Sequence, residues 1–79
     1  MKCYRHYKGG IYKCLAIAKD SETLKSVVVY QALYGKKLIW VRDYEMFFGM
    51  VLVDGNEIRR FEEFEISEED EINYGETRK

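Results

Sequence analysis

The pattern of apolar and polar positions changes character several times along this chain, and each change marks a predicted element. Ser26–Leu33 (SVVVYQAL) is the clearest strand, dense in β-branched and aromatic residues. Tyr34-Gly35-Lys36-Lys37 separates it from a second apolar run, Leu38–Arg42 (LIWVR). A tight loop centred on Gly35-Lys36 predicts Leu33 opposite Leu38, Gln31 opposite Trp40 and Val29 opposite Arg42. That register gathers Val28, Tyr30, Ala32, Ile39 and Val41 on a core face and leaves Trp40 and Arg42 with Gln31 on the other. A slip of one residue would exchange the faces. Upstream, Ile11–Lys19 (IYKCLAIAK) places Tyr12, Cys14, Ala16 and Ala18 on one face at period two. Its small side chains suit a tightly curved sheet. Leu15, Ala16, Ala18 and Lys19 also have good helix propensity, but Gly9-Gly10 before the run and the β-rich segment after it favour a strand.

Asp20–Leu24 (DSETL) reads as a polar turn. Asp43–Phe48 (DYEMFF) breaks the alternation and predicts a single helical or 3₁₀ turn. Met50–Val53 and Asn56–Phe61 flank Asp54-Gly55, the strongest short hairpin signal, which sets Val51 against Ile58 as a buried pair. Phe64 and Ile66 extend the last strand. Glu62–Glu71 then carries seven acids in ten residues, with Ser67 and Asp70 as a weak helix cap. The expected organisation is one small β domain over residues 1–66 and an acidic, disordered tail over 67–79. Five short antiparallel strands, tight turns and one helical turn predict a mainly β protein, a small, strongly bent antiparallel barrel of the SH3-like type. An open antiparallel sheet is the alternative.

Seventy-nine residues hold one domain, and 47% hydrophobic residues with seven Tyr, four Phe and one Trp supply its core. A net charge of −1 hides a division: residues 1–42 carry nine Lys/Arg against two acids, and residues 43–79 carry four against twelve. Either the halves attract each other within the domain, or a basic face awaits an anionic partner. Cys3 and Cys14 with a single histidine cannot make a structural zinc site. Met-Lys-Cys-Tyr-Arg leads into polar residues, so no signal peptide is expected, and reduced thiols in a cytoplasm follow. No apolar run is long enough to span a bilayer.

Catalytic chemistry finds little footing. His6 has Arg5, Tyr7 and Lys8 as neighbours, with no carboxylate or nucleophile beside it. Lys8-Gly9-Gly10 lacks the length and the following helix of a phosphate cradle. No catalytic residue, metal or cofactor is expected. Binding has more support, because the basic half interleaves cations with rings: Tyr4, Arg5, His6, Tyr7, Lys8, Tyr12, Lys13, Tyr34, Lys36, Lys37, Trp40 and Arg42. Such surfaces stack bases or anchor peptides, although a pI near 5.8 is low for a committed nucleic-acid domain. Small β proteins also use Tyr and Trp as core, and Trp40 is equally a core residue on this pattern. Ser21, Glu22 and Thr23 are explained by a hydrogen-bonded turn, or by a loop that caps a groove beside Tyr4–Lys8.

Taken together, "YRHYKGGIY", "SETL", "VVYQALYG", "WVR" and "EMFF" resemble, over residues 4–61, a family of short bacterial proteins known as domain of unknown function sixteen fifty-three. The resemblance implies a compact, mostly β domain and no settled activity. The family pattern often carries proline after "WVR", where this chain has Asp43, and the acidic tail lies outside it. Tyr4, Arg5, His6, Tyr12, Ser21, Glu22, Thr23, Tyr34, Trp40 and Arg42 fall on its motif positions and form the candidate site. The expected function is a non-catalytic binding or interaction module in which a protein or peptide, or an anionic ligand, docks on a groove of Tyr4–Lys8, Ser21–Thr23 and Trp40–Arg42. A nucleic-acid-binding barrel is the alternative, and an enzyme with a site around His6 and Glu22 comes third. The chain is expected to be a monomer or weak dimer away from membranes.

Overall fold

Gly9 and Gly10, at φ of 105° and 92°, turn the chain back between β1 (Lys2–His6) and β2 (Ile11–Lys19) in a computed structural model that describes residues 2–66. β3 (Ser26–Ala32) and β4 (Ile39–Asp43) follow, then the one-turn helix α1 (Tyr44–Phe47). The chain continues through β5 (Met50–Val53), β6 (Asn56–Arg59) and β7 (Phe61–Glu65). The protein is mainly β and its ladders are antiparallel. One sheet has the order β4-β3-β2-β1-β7, and β5 pairs with β6 in a sheet of their own.

The sheet is not closed into a barrel. A closed sheet needs its two end strands, β4 and β7, to pair, and among the described residues they do not. The expected strand Asn56–Phe61 is broken at Arg60, whose N–H turns to the Gly49 carbonyl at 3.0 Å. That break lets β6 return to β5 while β7 joins β1.

Two further expectations are corrected. The β3–β4 ladder sets Tyr30 opposite Trp40, Val29 opposite Val41 and Val28 opposite Arg42, one residue away from the expected register. The cause is loop parity. The Ala32 N–H already bonds the Leu38 carbonyl at 3.0 Å, so Leu33 through Lys37 make an odd-numbered loop, with Gly35 and Lys37 at φ of 59° and 56°. Ile39 and Val41 therefore leave the core face and stand 59% and 62% exposed, while Trp40 and Arg42 join Tyr30. In β2, Cys14 pairs with Tyr30 but Ala16 with Val29, so Leu15 is bulged out of the ladder. Ala16 and Ala18 thus lie on the face opposite Tyr12 and Cys14.

The core is built on both faces of the sheet. On one, Tyr4, Val28, Tyr30, Phe47 and Phe61 pack together with Tyr12, Cys14 and Phe48. On the other, Cys3, Leu33 and Ile66 pack with Ile11 and Phe64. Consecutive Cys3 and Tyr4 are both buried because β1 lies between β2 and β7 and is covered above and below. The two cysteines are not joined in a disulfide, and they project from opposite faces.

The local signals hold elsewhere. Asp54 and Gly55, at φ of 52° and 81°, make the expected hairpin turn, and Val51 pairs with Ile58, although Ile58 remains 38% exposed. Asp43 caps α1, its Oδ1 accepting the Glu45 N–H at 2.9 Å. The charged halves meet in the β1–β7 ladder, where Arg5 lies opposite Glu62 and Lys2 Nζ is 3.5 Å from Glu63. The Ser67–Asp70 cap and the acidic tail fall outside the described residues.

Candidate functional site

The register that exposes Ile39 and Val41 creates a face of rings and cations on the other side of the sheet. Tyr4 and His6 from β1, Tyr12 from β2, Tyr30 from β3, Trp40 and Arg42 from β4 and Phe61 from β7 share it. α1 closes its floor: Phe47 stacks on Phe61 at 4.0 Å and meets Tyr4 and Tyr30 edge-on at 5.3 and 5.1 Å. Tyr12 stands edge-on to Tyr30, Tyr34 and Phe61, and its hydroxyl shares a 2.7 Å hydrogen bond with that of Tyr34. Gly10 makes this pair possible. A Cβ there would sit 3.1 Å from the Tyr12 ring and 3.2 Å from the Tyr34 ring.

The polar tips of these rings converge. Arg42 Nε donates a long, 3.4 Å contact to the Tyr30 hydroxyl, and its guanidinium carbon lies 5.9 Å from the Phe61 ring centre. Burial, reinforced by the hydrogen bond to Tyr34, pushes the Tyr12 hydroxyl up to about 12, although Arg42 pulls it the other way. Burial also raises Tyr4, with the Glu63 charge adding to it. His6 is held below its ordinary value, first by burial and then by Arg42, Arg60 and Lys8. Its Nδ1 accepts the Lys8 N–H at 3.1 Å, and its ring packs on Phe61 and Tyr7. The surroundings of His6 are thus aromatic and positive.

The predicted groove is only partly assembled. Tyr12, Tyr34, His6 and Arg42 come together, and half-exposed Trp40 flanks them opposite Tyr30. Tyr4 is present but is buried as part of the floor. Arg5 projects from the opposite face, over the Phe64 ring at 4.5 Å, so it cannot act with Arg42 on one group. Ser21, Glu22 and Thr23 sit at the Lys19–Ser26 end of the β2–β3 ladder, whereas Tyr12 and Ala32 mark its other end. Seven strand residues separate the two ends, on the order of 20 Å. The loop is fully accounted for by itself: Asp20 Oδ1 accepts the N–H groups of Glu22 and Thr23 at 2.8 and 3.1 Å, and these hold the exposed Asp20 carboxyl low. Glu22 is therefore remote from His6.

Residues outside the predicted set also contribute. Tyr30, counted on the sequence only as core, supplies the hydroxyl that meets Arg42, and Arg60 adds charge beside His6. A cleft of about 520 Å³ opens next to His6, lined also by Arg5, Tyr7, Ile58, Arg59 and Glu62. It mixes two guanidinium groups with a carboxylate and does not reach Trp40. Among the described residues no cluster of His, Cys, Asp or Glu could hold a metal ion, and no helix is long and apolar enough to cross a membrane.

A family profile described as "protein of unknown function (DUF1653)" matches residues 2–63, from β1 into β7. The chain belongs to the DUF1653 family. A crystal structure of a DUF1653 protein from Bordetella bronchiseptica is 34% identical to it, with a TM-score of 0.66, over 75% of this chain and 78% of that one. No curated protein matches. The DUF1653 match takes in every residue of the ring-and-cation face and also the Ser21–Thr23 turn. It names no activity for either.

Proposed function

We propose that this DUF1653 domain is a non-catalytic module that binds a protein or peptide segment carrying an acidic group, on the face formed by Tyr12, Tyr34, Trp40 and Arg42. One observation carries the reading: half-exposed Trp40 shares a sheet face with the Arg42 guanidinium, which contacts the Tyr30 hydroxyl at 3.4 Å, and half-exposed Tyr34 joins that face through its hydrogen bond to Tyr12. Large rings with few rotatable bonds supply contact area at low entropic cost, and Arg42 would meet a carboxylate with forked hydrogen bonds. Arg60 and Lys8 add favourable charge around His6. The non-catalytic reading is supported by His6 Nδ1, which is engaged by the Lys8 N–H, and by the distance of Glu22 from it.

Trp40 is the chain's only tryptophan, so its fluorescence reports occupancy directly. Titration with acidic and matched neutral peptide pools should shift the emission only for the acidic pool, with the modest salt dependence of a single ion pair. Arg42→Ala should abolish the shift and Arg42→Lys should weaken it. A mixed oligonucleotide that binds instead, with affinity falling steeply as salt rises, would assign the face to nucleic acid. Silence toward all three probes sinks the proposal.

A further inference from the structure

The two edges of the five-stranded sheet are built differently. β7 presents Glu62, Glu63 and Glu65, a row of acids that repels a like edge. β4 presents Ile39, Trp40 and Val41 at 59%, 49% and 62% exposure, with Leu38 at 52% beside them. Its charged residues, Arg42 and Asp43, stand together at one end, and it carries no lysine, proline or bulge of the kind that guards an edge. Among the described residues no strand pairs with its outer side, and the groups left facing outward are defined. The Ala32–Leu38 bond fixes the hydrogen-bonded pairs of the β3–β4 ladder at Tyr30–Trp40 and Val28–Arg42. Antiparallel alternation then points the N–H and C=O groups of Ile39 and Val41 outward, away from β3.

We propose that β4 pairs antiparallel with β4 of a second copy of this chain, on a two-fold axis through Val41. In that register Val41 faces Val41 of the other copy and exchanges both backbone hydrogen bonds with it. Ile39 comes opposite Asp43, and Trp40 opposite Arg42. The antiparallel sense also brings the basic loop end, with Lys36 and Lys37, against the end that carries Glu45, whereas a parallel pair would set like charges together. A second copy is therefore the occupant whose chemistry the edge already specifies. α1 leaves the edge uncovered, because Phe47 carries it under the Tyr30 face. The two-fold axis stands perpendicular to the sheet, so the Trp40 and Arg42 faces of both copies lie on the same side. This goes beyond the ligand reading and does not depend on it.

Light scattering across the micromolar range should show the mass doubling with concentration. Hydrogen exchange at the Ile39 and Val41 amides should slow in parallel. Val41→Pro removes the outward donor while sparing the β3 ladder, and should leave a folded monomer. Val41→Cys should form a symmetric disulfide dimer on mild oxidation, while Leu52→Cys on the exposed β5 should not. A wild-type protein that is monomeric throughout overturns the proposal. So does a folded Val41→Pro variant that still doubles in mass. If Val41→Pro does not fold, absence of the Val41→Cys cross-link overturns it equally.

Discussion

Replacing Phe47 by alanine tests whether one helical turn holds the aromatic core together. The ring is fully buried, stacked on Phe61 at 4.0 Å and 9°, with Phe48, Tyr30 and Tyr4 at 4.9, 5.1 and 5.3 Å. Truncating such a phenylalanine costs about 3–5 kcal/mol, through lost transfer energy and the cavity left behind. A chain of this length has about 4–12 kcal/mol in total, so the variant should be close to unfolding. Phe47→Leu keeps most of the volume and should cost about 1–1.5 kcal/mol. Phe48→Ala, at a half-buried ring, should cost about 1–2 kcal/mol. Urea unfolding followed by Trp40 fluorescence and near-ultraviolet dichroism measures all three. A Phe47→Ala loss below about 1.5 kcal/mol, or one no larger than that of Phe48→Ala, would refute the assignment of α1 as the floor of the core.

Gly10→Ala should cost about 1–3 kcal/mol, because it meets both a positive φ and the Tyr12 and Tyr34 rings, and it should weaken ligand binding; Gly55→Ala, with open space around it, should cost only about 1 kcal/mol. Asp43→Ala removes the acceptor for the Glu45 N–H and should cost about 0.5–1.5 kcal/mol in the same unfolding assay. Because the folded state holds the Tyr12 proton up to about 12, its contribution is complete below pH 10 and is lost as pH rises from 10 through 12. Solvent contact trims this to about 1–2 kcal/mol, and Tyr12→Phe should flatten the alkaline limb of a melting-temperature profile. His6 has the opposite sign: its depressed value gives stability that is present above about pH 6.5 and lost as pH falls below it, so His6→Gln should flatten the acid limb.

Features governed by local chemistry were legible in the chain. Asp54-Gly55 and its Val51–Ile58 pair, the helical turn within Asp43–Phe48 and the β3 strand all follow from a few adjacent residues. What escaped were single-residue changes of phase. Nothing in IYKCLAIAK marks Leu15 as bulged, because Ala16 and Ile17 suit either face. Nor does YGKK announce an odd loop, since Lys37 adopts positive φ where glycine would have signalled it. That one shift moved Trp40 and Arg42 from the Gln31 face to the Tyr30 face, and so altered the site more than the fold. The proposed role of Ser21–Thr23 depended on where the ends of a long hairpin fall, which residue types do not encode.

The pairing of β1 with β7 has a consequence for how the domain is made. His6 meets Phe61, so the strand first in chain order takes its second neighbour from the last strand among the described residues. Cys3 and Tyr4, buried on opposite faces once β7 arrives, stay wet until then. Closure across so much intervening chain carries a large entropic cost before any contact rewards it. Folding should therefore finish in one late, cooperative step at β7, and during synthesis the N-terminal strand should remain open to proteases and chaperones until that step occurs.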